Sequence, residues 1–209
     1  AVLGKEETCT GDPARRAGNE MLYQMQALQN IELLKAYEVK KIITICPHCY
    51  NIFKNEYPDL GGKYELINYL ELIDKNIKSG KLKLDGDILK SKSLTYHDPC
   101  YLGRANNIYD EPRSILKSLS DNVVEMDRNK SFALCCGAGG AQMFKEAEKG
   151  DREVFIERTE DVLKTNTEIV ATACPFCMTM ITDGLKYKNR EEEIKNYDIA
   201  ELIVEALEL

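Results

Sequence analysis

Two C-P-x-C tetrapeptides constrain this chain more than any other feature. Cys46-Pro47-His48-Cys49 and Cys174-Pro175-Phe176-Cys177 lie 128 residues apart. Cys9-Thr10-Gly11 stands 126 residues before Cys135-Cys136-Gly137, and Leu70-Glu71-Leu72-Ile73 stands 130 before Ala200-Glu201-Leu202-Ile203. Three landmarks in one order at nearly one offset define an internal repeat. The first cysteine-rich repeat spans 1–90 and is incomplete at its N-terminus; the second, complete, spans 91–209.

Both repeats read alike. A glycine turn precedes a long helix, expected over 13–38 and again over about 140–165. In the first of these Met21, Leu22, Met25, Leu28, Ile31 and Leu34 recur at helical spacing and are expected to face the core. Asp12 and Pro13 suit its N-cap and first helical position. Apolar strand-like runs at 42–45 and 168–173 feed into C-P-x-C, and helices follow near 49–56 and 177–187. Further strands are expected at 64–68, 93–96 and 123–126, with helices at 69–78 and 112–120. The alternation predicts an α/β fold of two pseudo-symmetric repeats with mainly parallel sheet. It puts the cysteines at the carboxyl ends of strands, where open α/β sheets collect their ligands.

The chain has 8 cysteines in 209 residues. No run approaches the ~20 apolar residues of a bilayer span, and no secretory leader opens the chain. A chain of this length builds a core without disulfide staples, so the paired cysteines read as metal or cluster ligands. A net charge of −7 argues against a nucleic-acid partner. The first residue is Ala1 rather than Met, which reads as a piece cut from a longer protein, with a cytoplasmic setting.

Cys100, Cys135, Cys136, Cys174 and Cys177 form a five-thiolate set. Thiolates are soft, anionic donors suited to iron in sulfide-bridged clusters, and five exceed the four a tetrahedral zinc takes. Gly137, Gly139 and Gly140 let backbone N–H groups approach the sulfurs. Cys9, Cys46 and Cys49 form a smaller set, because Thr10 stands where the second cysteine of Cys-Cys-Gly would be. A cubane cluster, a zinc ion or an empty site are all open there.

Cys100, Cys135-Cys136-Gly137 and Cys174-Pro175-Phe176-Cys177, with His97-Asp98-Pro99-Cys100-Tyr101-Leu102-Gly103, make the whole chain resemble a known family. It is similar to the two-repeat cysteine-rich (CCG) domain of the heterodisulfide reductases and their relatives. Those include iron–sulfur subunits of glycolate, lactate and glycerol-3-phosphate oxidation systems and membrane-associated quinone reductases. Cys9 to Arg16 point, within it, to iron–sulfur reductases that take electrons from electron-transferring flavoprotein. The resemblance implies that the five thiolates hold a [4Fe–4S] assembly of the non-cubane kind. It also implies a flavoprotein or ferredoxin-like electron donor and a quinone or disulfide acceptor. Other segments of a larger complex would complete the assembly and could hold it at the cytoplasmic face of a membrane.

Other readings of the same residues compete. Cys46-Pro47-His48-Cys49 between a strand and a helix also fits thioredoxin-like dithiol exchange. A zinc-binding interaction module is the rival from another class. His48 as a fourth zinc ligand is strained by its place inside C-x-x-C. Gly137-Ala138-Gly139-Gly140 lacks the spacing of a nucleotide loop. His97 is read as satisfying local backbone groups beside Asp98-Pro99, with donation to a cluster as its other role. Arg15, Arg16 and Arg104 are read as solvated surface charges, as is the run Glu191–Glu193.

Overall fold

A computed structural model describes residues 1–84, 87–146 and 149–207. The elements run α1 (Asp12–Arg16), α2 (Glu20–Ala36), β1 (Lys41–Thr44), α3 (Pro47–Asn55), β2 (Glu65–Asn68), α4 (Tyr69–Lys78) and β3 (Ser93–Tyr96). They continue α5 (Gly103–Asn106), α6 (Asp110–Leu119), β4 (Asn122–Val124), α7 (Val154–Lys164), β5 (Ile169–Thr172), α8 (Pro175–Tyr187), β6 (Lys195–Asp198) and α9 (Ile199–Ala206). β1 and β2 pair in parallel, and β4-β3-β5-β6 form a second, wholly parallel sheet. The architecture is α/β, as the alternation predicts.

The same local devices recur on either side. Cys46 and Cys174 are the extended N-cap residues of α3 and α8, each followed by proline at the first helical position. There the missing N–H costs nothing and the fixed φ pre-sets the helix. α4 and α9 each begin with a capping box, Asn68 with Glu71 and Asp198 with Glu201. The Gly11 N–H bonds Cys9 Sγ at 3.4 Å, and the Gly137 N–H bonds Cys135 Sγ at 3.3 Å.

Two expectations fail. The helix expected over 13–38 is broken at Ala17 and Gly18: Gly18 takes φ 83°, and the Asn19 side chain accepts the Leu22 N–H to start α2 afresh. The helix expected over about 140–165 exists only as α7 among the described residues. Ala141 and Gly140 adopt positive φ, leaving a short 3-10 turn at Gln142–Phe144 before α7 begins.

The apolar stripe of α2 is also misassigned by its periodicity. Met21, Leu22, Met25 and Leu28 are exposed, and α2 buries Tyr23, Ala27, Asn30 and Leu34. Asn30 explains the rotation, since its amide donates to the Cys9 carbonyl (2.9 Å) and to Tyr57 Oη (3.2 Å), satisfying polar groups inside. Tyr23, Ala27, Leu34, Ile52, Phe53 and Tyr57 make a small core beneath the first sheet.

The main core joins both sheets. Tyr50, Tyr69, Leu70 and Leu89 pack with Leu94, Ile115, Leu116, Ile199 and Leu202 in one cluster. Tyr69 Oη donates to Asp198 Oδ1 at 2.8 Å across this junction.

α7 and α8 approach closely at Gly184, where an added Cβ would lie 1.9 Å from Thr159 Oγ1 and 3.3 Å from the Phe155 carbonyl. Gly184→Ala is expected to cost about 1–3 kcal/mol by overpacking. Adding Thr159→Ala should return much of that loss, which paired denaturant unfolding curves would measure.

Candidate metal centre

Three strand ends and one loop bring sulfur together. β3 leads through His97-Asp98-Pro99 to Cys100, and β5 leads to Cys174 and Cys177 on the first turn of α8. The loop after β4 supplies Cys135 and Cys136. Cys177 Sγ donates to Cys136 Sγ at 3.4 Å. Cys100 hydrogen-bonds Cys135, Cys135 bonds Cys136, and Cys177 bonds Cys174. All five thiols of the larger set therefore form one connected group. Cys136, Cys174 and Cys177 are buried and Cys100 and Cys135 half-buried. Met143, Phe176 and Met180 pack around them.

Asp98 fixes the approach of Cys100. Its carboxylate takes both Nη groups of Arg113 from α6, at 2.8 and 2.9 Å, and the Lys130 N–H at 2.8 Å. Arg113 also donates to Glu125, at 2.6 and 2.8 Å. Burial opposes the Arg113 charge, but these carboxylates outweigh it and raise its pKa.

Proton sharing polarises the sulfurs. Cys100 and Cys136 both donate to Cys135, which with the Gly137 N–H brings the Cys135 pKa well below the usual thiol value. Cys100 is correspondingly raised, and donation to Cys135 pushes Cys136 up to about 12. The Cys177 thiol and, after it, His48 pull Cys174 down to about 5.

The smaller set is assembled less completely. Cys46 and Cys49 meet at the start of α3, and donation from Cys49 lowers Cys46. Thr10 Oγ1 lies 3.6 Å from Cys49 Sγ, occupying the place that Cys136 holds beside Cys177. Cys9 is exposed. Among the described residues, the one trio of His, Cys or acidic groups with ligand atoms within 4.8 Å of one another is His97, Cys136 and Cys177, so Cys9, Cys46 and Cys49 form no such trio.

His48 turns away from its own C-x-x-C pair. Its Nδ1 meets Asp12 Oδ2 at 2.8 Å, and its ring packs 4.3 Å from Tyr101 and 4.6 Å from Phe176. Burial lowers its pKa, but Asp12 and then Cys174 of the other set outweigh this and push it up to about 9.

His97 corrects the sequence expectation. Its side chain meets no local backbone group: Nδ1 accepts from Arg158 Nε at 2.9 Å, and the buried Nε2 has no partner among the described residues. Burial, then the Arg158 charge, lower its pKa to about 3. Arg158 is wholly buried on α7 and no sequence signal singled it out. Arg15 and Arg16 are likewise more than solvated charges, since both pair with Glu56. Arg104 is exposed but donates to the Ala133 carbonyl, just ahead of Cys135.

A parallel α/β scaffold that gathers cysteines at strand ends defines a cysteine-rich redox-type protein. The chain belongs to the cysteine-rich domain family, whose pattern it matches over residues 1–54 and 94–182. It is 46% identical over 212 residues to EtfAB:quinone oxidoreductase of Syntrophomonas wolfei, covering 99% of this chain and 29% of that protein. It is 44% identical over 208 residues to the "Probable iron-sulfur-binding oxidoreductase FadF" of Bacillus subtilis, again covering 99% and 29%. It is 36% identical over 218 residues to one subunit of the dihydromethanophenazine:CoB--CoM heterodisulfide reductase of Methanosarcina barkeri, covering 100% and 52%. The chain thus spans under a third of the first two relatives and about half of the last.

Alkylation of the metal-free protein tests the sulfur electrostatics, because the thiolate is the reacting species. At pH 6, iodoacetamide is expected to modify Cys135 faster than Cys100, although both are half-buried. Equal rates by peptide mass spectrometry would contradict the polarisation described.

Proposed function

We propose that this chain is the iron–sulfur electron-transfer module of a heterodisulfide-reductase-like oxidoreductase. Cys100, Cys135, Cys136, Cys174 and Cys177 would be the ligands of one [4Fe–4S] assembly, of the non-cubane kind. The observation that carries the reading is the gathering of these five thiols, from segments far apart in sequence, into one connected and mostly buried group.

The donor set fits such a cluster. Five soft, anionic sulfurs suit several irons and exceed a single tetrahedral ion. The Gly137 N–H already bonds one sulfur, and the unpartnered His97 Nε2 faces two others. When bound, an iron–sulfur cluster supplies one-electron storage at a potential set by charge, hydrogen bonding and exposure. Met143, Phe176 and Met180 exclude water from the buried side, while half-buried Cys100 and Cys135 mark the accessible side. A cleft of about 1000 Å³ opens beside Gly137, lined by Met143, Val154, Phe155 and Met180.

Thr10 in place of a second adjacent cysteine leaves Cys9, Cys46 and Cys49 one soft donor short. We therefore assign the redox role to the larger set, and the smaller set would hold a second cluster or zinc only with a ligand from elsewhere. The names of the relatives support a flavoprotein or ferredoxin-like donor and a quinone or disulfide acceptor in a larger assembly. Among the described residues no helix is long and apolar enough to cross a membrane. Any attachment to the cytoplasmic face of a membrane would rest on other segments.

Anaerobic purification with iron, sulfide and zinc quantification tests the proposal. The wild type should be brown, contain iron and labile sulfide, and give a redox-dependent EPR signal. Cys135→Ser and Cys136→Ser should each remove that iron while leaving the circular dichroism unchanged. Zinc alone would favour the interaction module, and an iron-free protein that resists reconstitution would overturn the assignment.

A further inference from the structure

His97 and Arg158 form a device that the ligand set does not use. Arg158 is wholly buried, and its guanidinium is held from three sides. Nη1 donates to the Arg128 carbonyl (2.8 Å) and to Asp161 Oδ2 (3.2 Å), and Nε donates to His97 Nδ1 (2.9 Å). Asp161 is itself clamped by Arg128, at 2.7 and 3.0 Å. An arginine has only donors, so the imidazole nitrogen facing it must be the acceptor. That leaves the ring proton on Nε2. His97 is 1% exposed, and its Nε2 has no partner among the described residues. A ring nitrogen lies within 4.8 Å of both Cys136 and Cys177 Sγ; with Nδ1 turned to Arg158, Nε2 is the one that faces the sulfurs.

We propose that Arg158 locks His97 in the Nε2–H tautomer, making His97 a hydrogen-bond donor to the Cys136 and Cys177 thiolates and barring it from ligating iron. The inference rests on the iron–sulfur reading above and names what sets the behaviour of that site. An imidazole with a proton on Nε2 has no lone pair there for a metal, so proximity to the sulfurs means donation. A donor to ligating thiolates draws off negative charge and favours the reduced cluster, which raises its potential. Arg158 touches neither sulfur nor iron and acts through the ring as a positioning residue. The neighbouring strand end carries Cys100, so one short segment, His97 to Cys100, supplies both a ligand and a potential-tuning group.

The test uses the complete protein, isolated anaerobically, with wild type, His97→Leu, His97→Gln and Arg158→Met compared. Iron and sulfide are quantified first, and the midpoint potential is then read by EPR-monitored redox titration. His97→Leu should keep its iron but titrate at a lower potential. His97→Gln, which retains an N–H donor at similar reach, should recover most of the difference. Arg158→Met should shift in the same direction as His97→Leu. Iron without any shift in His97→Leu, or loss of iron from a folded His97→Gln protein, would overturn this inference alone. Absence of iron from the wild type would overturn the underlying reading and this inference together. Should the substituted proteins fail to fold, pulsed EPR on a His48→Gln protein labelled with 15N-histidine, in which His97 is the sole histidine of this chain, remains decisive. A weak coupling transmitted through sulfur is expected, and either a ligand-sized coupling or none would refute the proposal.

Discussion

The buried carboxylate of Asp98 is the interaction on which the larger sulfur group depends. It receives the Arg113 guanidinium from α6 and the Lys130 N–H from the segment leading to the Cys-Cys-Gly turn. Through one side chain, the end of β3, the helix beside it and the loop after β4 are held in register. A buried ion pair of this sort adds little net stability against a well-packed apolar alternative, but removing one partner leaves the other stranded at a cost of several kcal/mol. What it contributes is position. Pro99 and Cys100 follow Asp98 directly, so the sulfur that bonds Cys135 is set two residues from the clamp.

Much of this arrangement is legible in sequence because its causes are local. A short apolar run, an N-capping cysteine and a proline at the first helical position announce the strand-to-helix turn at Cys46 and Cys174 alike. Asn68 and Asp198, each three residues ahead of a glutamate, likewise mark the starts of α4 and α9. The gathering of thiols follows from the parallel sheet, since strands that run the same way end on the same edge.

What the sequence hides is settled by partners distant along the chain. The face that α2 buries turns on Asn30, whose value inside depends on Cys9 and Tyr57 being there to meet it. Helical periodicity registers the methionines and leucines and is blind to that pairing. The loop ahead of α7 reads as helix because its composition permits one, whereas positive φ at Gly140 and Ala141 turns the backbone aside. Arg158 resembles any arginine on an amphipathic helix. Only the fold shows that it is enclosed and that its Nε finds an imidazole 61 positions away. His48 belongs by sequence to one cysteine pair, yet its charge environment is governed in part by Cys174 of the other.

The single apolar interior carries a further consequence. Leu70 and Leu89, from before residue 90, and Leu94, Ile199 and Leu202, from beyond it, share one set of neighbours, and Tyr69 reaches across to Asp198. Neither stretch owns a finished wall; each closes the other. A polypeptide severed between β2 and β3 would hold two raw greasy surfaces instead of two smaller proteins. The sulfur-bearing edge therefore depends on a foundation to which the poorer cysteine set contributes half the masonry, and that set earns its place whatever it binds.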